Sequence, residues 1–363
     1  MRLPGCGVVL LLLAAGPALP DGQVGHSRSE PPRRRFEEAL RVREILLDVT
    51  VTDRRGNPVS ALGRDDFQLD LRGRRLEVTS VTFHSSATSP SAPQAPSSPE
   101  RDGMPPVENR YFILLFHDLM RSSWETLGVP GQQALAAVTS RRWLRNELLP
   151  GDWVAIAGFD SRLKIHQDFS QQTEALEQGL RRMMLRRMPL EENPAEDHPS
   201  ILRHLPRGRS LRDATPRLSD ALGVMAGALR SLDGRKHLFL FGIGTDLGGT
   251  VVSALNRSNI DVYPVDITPP NIVHLQAASL RALARDTDGQ YFAWWGPLQS
   301  LRHVSRQTSG YYQVSLLAPE DWDERDAQEL RVKVRDPDLR VRSRRRYPPA
   351  EVRAPEIHTR GDS

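Results

Sequence analysis

The chain has 363 residues, of which 39 % are hydrophobic and 26 % charged, with 49 Lys and Arg against 45 Asp and Glu for a formal net charge of +4. That is enough apolar material for a packed core and enough length for two or three domains. So even a charge balance gives no ground for nucleic-acid binding unless the cations are concentrated in a stripe. Arg2, the apolar run Val8–Ala15 and the small residues Gly16-Pro17-Ala18 have the order of a secretory signal peptide, expected over residues 1–20. The apolar run is too short to span a bilayer, and Cys6 lies before it, which excludes a lipoprotein cysteine. Cys6 is also the single cysteine, so the exported remainder would have no disulfide, thiolate chemistry or cysteine metal ligand.

Residues 21–37 are polar and basic, the composition of a disordered segment. Over 38–84 the period is two. Ile45, Leu47, Val49 and Val51 alternate with polar neighbours, Arg55-Gly56-Asn57-Pro58 makes a turn, and Phe67, Leu69 and Leu71 alternate again before a strand over Leu76–Phe83. This β unit is too small to be secure by itself. Residues 85–108 are rich in Ser, Pro and Ala without apolar periodicity, which describes a linker.

Strands and helices then alternate over 109–308. Strands are expected at Tyr111–Phe116, Trp153–Phe159, Lys236–Gly242, Asp261–Asp266 and Gly289–Trp294. Helices are expected near Gln132–Leu148, Thr173–Arg186, Arg217–Ser231, Thr250–Ser258 and Leu275–Asp286, with a polar stretch at Glu191–Arg209. Nearly continuous apolar strands separated by helices indicate an α/β fold with a doubly wound, mostly parallel sheet buried on both faces. Residues 309–348 return to strand periodicity at Tyr311–Leu317, Glu329–Val334 and Leu339–Val341. Their solvent faces would carry Arg331, Lys333, Arg335, Arg340 and Arg342. This block is expected to complete a sandwich-like unit with 38–84, since each is undersized alone. Residues 349–363 read as a disordered tail.

The chemistry concentrates where two strands end. The first runs Tyr111-Phe-Ile-Leu-Leu-Phe-His117 into Asp118 and the hydroxyls of Ser122 and Ser123; the second, His237–Gly244, runs into Thr245 and Asp246. In an open parallel sheet the carboxyl ends of the strands share one edge, so the two aspartates can converge there. Carboxylates with hydroxyls are hard oxygen ligands, the set that Mg²⁺ or Ca²⁺ takes, and the cofactor expected is Mg²⁺ or Mn²⁺.

These motifs, together with Leu47–Val59, Asp65-Asp66-Phe67, Gly151–Phe159, Gln167-Asp168-Phe169, Gly234-Arg235-Lys236 and Ser309–Tyr312, resemble the exported bacterial VWFA-related proteins, which carry a von Willebrand factor type A domain. The resemblance extends over about residues 40–347 apart from the linker. It implies a metal-ion-dependent adhesion site built from an Asp-x-Ser-x-Ser loop, a threonine of a second loop and an aspartate of a third. A carboxylate of a protein partner completes the metal's coordination in such sites. It also implies a binding module, not an enzyme. Carried over to this chain, the metal ligands are Asp118, Asp246, Ser122 and Thr215. The site is degenerate: Met120 stands at the first serine position, where a thioether is a poor ligand for a hard cation. An alignment on Asp220 would put Pro216 at the threonine position, and Arg121 adds positive charge nearby.

Other readings of the same residues are weaker. Gly242-x-Gly244-x-x-x-Gly248 imitates a dinucleotide-binding turn, but its spacing is one residue too long and Asp246 would face phosphate. His117-Asp118 lacks the further ligands of a phosphohydrolase. His117 is expected to point into the core, and His166, His198 and His204 to be solvated. Ser122 and Ser123 lack a nucleophile elbow. The basic C-terminal strands fit solvated faces better than a nucleic-acid surface, and the terminal Arg360-Gly361-Asp362-Ser363 is a short string of little weight. The sequence therefore indicates an exported, periplasmic or extracellular interaction or adhesion module. The alternatives are a structural envelope protein with a metal-free site and, further off, a metal-assisted hydrolase.

Overall fold

The computed structural model describes residues 44–86, 109–117, 129–185, 187, 189–190, 198–243, 249–268, 276–293, 296–318, 328–343 and 346–347. All of them belong to one compact unit, Val42–Ser363. The expected signal peptide, the 21–37 segment, residues 87–108 of the linker and the tail lie outside the described residues; Ser85 ends a strand, and Ser86 N–H donates to the Ser309 carbonyl at 3.0 Å.

The period-two segments form two antiparallel four-stranded sheets. The first has β1 (Glu44–Thr52), β4 (Val78–Ser85), β11 (Gly310–Leu317) and β13 (Arg340–Ser343) in the order β13-β1-β11-β4. The second has β2 (Phe67–Leu71), β3 (Arg74–Leu76), β12 (Gln328–Val334) and β14 (Arg346–Tyr347) in the order β14-β12-β2-β3. N- and C-terminal segments thus interleave. β11 lies between β1 and β4, with Leu47 opposite Val314 and Val314 opposite Val81, and β12 sets Val332 against Leu69. The alternating residues Ile45, Leu47, Val49, Val51, Phe67, Leu69, Val314, Leu316 and Leu330 fill one core between them. At its centre Tyr312 packs edge-on against Phe67, and its hydroxyl donates to the Val59 carbonyl at 2.7 Å and accepts from Leu62 N–H at 3.0 Å.

The alternating region forms a six-stranded sheet of β5 (Arg110–His117), β6 (Asp152–Phe159), β7 (Leu163–Ser170), β8 (Lys236–Gly242), β9 (Ile260–Asp266) and β10 (Phe292–Ala293), in the order β10-β9-β8-β5-β6-β7. Every neighbouring pair is parallel except β6 and β7. Residues of β5 and β8 are buried throughout because both faces are covered. α1 (Val129–Asn146), α2 (Thr173–Met184) and α7 (Pro297–Gln307) cover one face through Trp143, Leu176 and Leu301. α4 (Leu218–Leu229), α5 (Gly249–Arg257) and α6 (Ala277–Asp286) cover the other through Leu222, Leu255 and Leu280. The doubly wound α/β expectation holds, and the two antiparallel sheets flank it. No helix among the described residues is long and apolar enough to cross a membrane.

Several elements depart from the sequence reading. β7 was not anticipated, because Lys164, His166, Gln167 and Asp168 make it look like a polar loop; it is the antiparallel edge strand, and its pairing with β6 contains register shifts. α7 starts on Pro297, a favoured first helical residue, and buries Leu298, Leu301 and Val304 on one stripe. α3 (Gly208–Ala214) begins inside the segment read as polar. Of the strand expected at Gly289–Trp294, Phe292–Ala293 is described as strand, Gly289 lies against the backbone of Val262, where a Cβ would fall 1.5 Å from a carbonyl oxygen, and Trp294 lies outside the described residues.

The amino-terminal edge of the parallel sheet is closed by paired charges. Arg110 donates to both carboxylate oxygens of Asp152 at 2.7 and 2.8 Å and to the Ser305 carbonyl at 2.6 Å, with both side chains buried. Arg235 donates to Asp261 at 2.8 Å, Asp288 at 3.4 Å and Thr50 Oγ1 of β1 at 2.9 Å. Burial opposes the Arg235 charge, but Asp261 and Asp288 more than offset it and hold its pKa well above the ordinary value. Burial pushes His237 down to about 3, Asp261 notwithstanding, so its 3.5 Å approach to Asp261 is a polar contact of a neutral ring and not an ion pair. Arg342 was expected on a solvent face. Instead it donates to Gln307 Oε1 at 3.1 Å and to the Asp288 carbonyl, and its guanidinium lies over the Tyr263 ring at 5.8 Å. Alternation located its face of the strand correctly, but that face meets the α/β layer.

Candidate functional site

The sheet order makes one crevice special. From β5 the chain moves outward through β6 and β7, then returns to the other side of β5 and moves outward through β8, β9 and β10. α1 follows β5 on one face and α5 follows β8 on the opposite face. The carboxyl ends of β5 and β8 therefore frame a topological switch point, where open α/β sheets bind ligands because the outgoing chains diverge and leave a gap.

The two strand ends are close. Phe116 pairs with Phe241, and a Cβ added to Gly242 would sit 3.0 Å from the Cβ of His117, so glycine is what lets the exits run side by side. His117 points into the protein as expected, packing against Phe159 at 5.6 Å. Burial lowers its pKa to about 4, and Nδ1 has no hydrogen-bond partner among the described residues. Its carbonyl accepts a hydrogen bond from the Gln133 amide of α1, which fixes the last residue before the Asp118 loop. Asp118, Ser122 and Asp246 lie outside the described residues. What is described is the pair of strand ends that leads to them.

Thr215, the fourth expected ligand, follows α3 and is completely buried. Its hydroxyl accepts from Leu163 N–H at 3.1 Å and donates to the Leu211 carbonyl at 2.7 Å. Leu163 pairs with Phe159, and Phe159 pairs with His117, so Thr215 is at the same edge of the sheet, beside β7. A hydroxyl has one proton and two lone pairs. Two of these three capacities are used on backbone, leaving a single lone pair for any cation. The donor set Asp118, Asp246 and Ser122 fits a hard divalent ion by chemistry, and Thr215 fits as its weakest member.

Two supporting residues were not recognised as such from sequence. Gln133 is one. The other is Asp168, whose carboxylate accepts from Ser200 Oγ at 2.6 Å, Ile201 N–H at 2.8 Å and Leu202 N–H at 3.3 Å. It anchors the segment whose Ile201 and Leu205 enter the core before α3 leads to Thr215. The Gln167-Asp168-Phe169 motif carried that signal without its reason. His166, expected in solvent, is buried behind Gly158 and Met183. Burial first, and Lys164 and Arg182 in addition, push its pKa down to about 4. Its Nδ1 has no hydrogen-bond partner among the described residues.

The helices beside this edge also expose apolar side chains. Glu177 of α2 pairs with Arg141 and Arg145 of α1. Toward the β5 exit from that contact, Leu135 and Val138 on α1 are 48 % and 57 % exposed, and Met184 and Leu185 at the end of α2 are 45 % and 57 % exposed. Four of the six exposed large hydrophobic residues described thus belong to one helix pair.

No family model and no curated protein matches the chain. Among solved structures it is similar to an aerotolerance-related membrane protein of Bacteroides fragilis (11 % identity, TM-score 0.35, covering 55 % of this chain and 98 % of that one). It is likewise similar to BatB of Bacteroides thetaiotaomicron (12 %, 0.35, 55 % and 97 %). A third is proximal thread matrix protein 1 of the mussel byssus with a zinc-occupied MIDAS motif (10 %, 0.34, 55 % and 47 %). These likenesses are loose, and function is read below from the residues alone.

Proposed function

We propose that this protein is a non-catalytic interaction module, exported from the cell, which engages a protein partner at the carboxyl edge of its parallel sheet. The observation that carries this is the switch point, where β5 and β8 end side by side and send their chains toward Asp118 and Asp246. Asp118, Asp246 and Ser122 would hold a Mg²⁺ or Mn²⁺ ion, with water filling the place that Met120 cannot, since Mg²⁺ keeps several waters. Thr215 contributes its remaining lone pair or acts only as a brace between α3 and β7. An acidic side chain of the partner would complete the ion's coordination, and the exposed Leu135, Val138, Met184 and Leu185 give the partner apolar surface beside it.

Calorimetric titration of the mature protein with Mg²⁺ and Mn²⁺, with Asp118→Ala in parallel, tests this. Binding that disappears in the variant supports a working ion site. Binding that survives the substitution places the ion elsewhere and removes Asp118 from the reading. A second reading, a metal-free contact surface, is favoured by the commitment of the Thr215 hydroxyl to Leu163 and Leu211. Absence of binding in both proteins selects it.

A further inference from the structure

The outer face of the β14-β12-β2-β3 sheet collects cations by register. Phe67, Leu69, Leu71 and Leu330 turn into the sandwich core, so the alternate residues of the same strands face outward. Asp70 stands between Arg75 of β3 and Arg331 of β12, and Gln68 stands opposite Lys333 in the adjacent row. Arg72 projects from the turn between β2 and β3 at a φ of 53°. Arg72, Arg75, Arg331 and Lys333 are all exposed, and with Gln68 and Asp70 they line a depression of about 430 Å³. Four cations and one carboxylate here leave a local excess of three, against +4 for all 363 residues. The carboxylate is engaged in its own turn, accepting from Gly73 N–H at 2.9 Å. Arg72, Arg75 and Lys333 form no ion pair with any described residue.

We propose that this face binds an acidic polysaccharide. Guanidinium forks match carboxylate and sulfate groups bidentately. Arg75 and Arg331, two strand spacings apart, stand about 10 Å from each other, so one chain laid across the strands meets both cations, on either side of Asp70. The Gln68 amide between the rows can both donate to and accept from sugar hydroxyls. Two other polyanions fit less well. Among the described residues the depression has no aromatic lining on which bases could stack. No exposed large hydrophobic side chain among the described residues lies on this sheet to enter a bilayer: Leu46 and Leu317 are on the other antiparallel sheet, and the rest are on α1 and α2.

The test is calorimetry of the full mature chain with a heparin oligosaccharide at several salt concentrations. It is repeated for Arg75→Ser/Lys333→Ser and for the control Arg142→Ser/Arg181→Ser on α1 and α2. All four residues are exposed, so the variants should fold, which thermal unfolding checks. Expected is binding that weakens with salt, falls at least tenfold in the sheet variant, and is unchanged in the helix control. Equal loss in both variants would reduce the effect to net charge and overturn the proposal, as would wild-type affinity in the sheet variant or no binding at all. Tighter binding of a DNA duplex or of phosphatidylserine vesicles, lost in the same sheet variant, would overturn it in favour of that polyanion.

Discussion

The two ends of the parallel sheet are built on opposite principles. At the amino end, buried charges are matched: Arg110 with Asp152, Arg235 with Asp261 and Asp288, and Lys236 with the carbonyls of Leu232 and Ser258. Thr50 and Arg342 of the antiparallel layers join the same network. At the carboxyl end the buried titratable groups, His117 and His166, are held neutral by burial, and apolar side chains on α1 and α2 stay exposed. Matched buried charges are costly to separate because each would be left unpaired in a poor solvent. The amino end is therefore a joint, whereas the described residues of the carboxyl end carry neutral buried histidines and exposed apolar side chains instead.

The strongest way to break this contrast is Arg235→Met. With the guanidinium gone, Asp261 loses its 2.8 Å ion pair and Asp288 keeps Arg342 at 4.0 Å, and a loss of about 3–5 kcal/mol is expected in denaturant unfolding. A loss below about 1 kcal/mol would show that the network does not hold the layers. Asp168→Ala comes next. It strands the N–H groups of Ile201 and Leu202 and the Ser200 hydroxyl, and should cost about 3 kcal/mol. The substitution would also loosen the segment leading to Thr215, seen as faster hydrogen exchange over residues 200–215.

His166 sharpens the contrast through pH. Its folded pKa, about 4, is below the ordinary 6.5, so the unfolded chain binds the extra proton first as pH falls. The stability from keeping it neutral is complete above pH 6.5 and is lost as pH drops through 4. His166→Leu should flatten that part of the stability profile by about 3 kcal/mol. A profile unchanged from wild type would mean the ring is not buried in solution. The smallest effect is expected for Leu135→Ser. As an exposed residue it should change stability by no more than about 0.5 kcal/mol, and a larger loss would move the α1 patch from partner surface to fold.

Much of the architecture was legible. The period-two and helical segments name most elements, and the small size of the two β blocks already implied that they share a sandwich. Asp118 and Asp246 were visible because apolar strands run straight into them. Less was legible where a residue's surroundings come from distant chain. His166 and Arg342 look like surface residues in sequence, yet Met183 covers one and Asp288 and Gln307 hold the other. Thr215 matched a motif position, but no local pattern announces that its hydroxyl is shared between Leu163 and Leu211.

Apolar period, turn residues and strand-terminal carboxylates act over a few neighbouring residues, so the sequence by itself determined the element types, the α/β class and the candidate ligands Asp118, Ser122, Thr215 and Asp246. Only the tertiary structure decided that β11 lies between β1 and β4, that β5 and β8 are neighbours, and that Arg235 meets Thr50, 185 residues away. Those outcomes depend on which faces and charges meet through space, and a buried charge is satisfied by whichever partner the packing brings within reach.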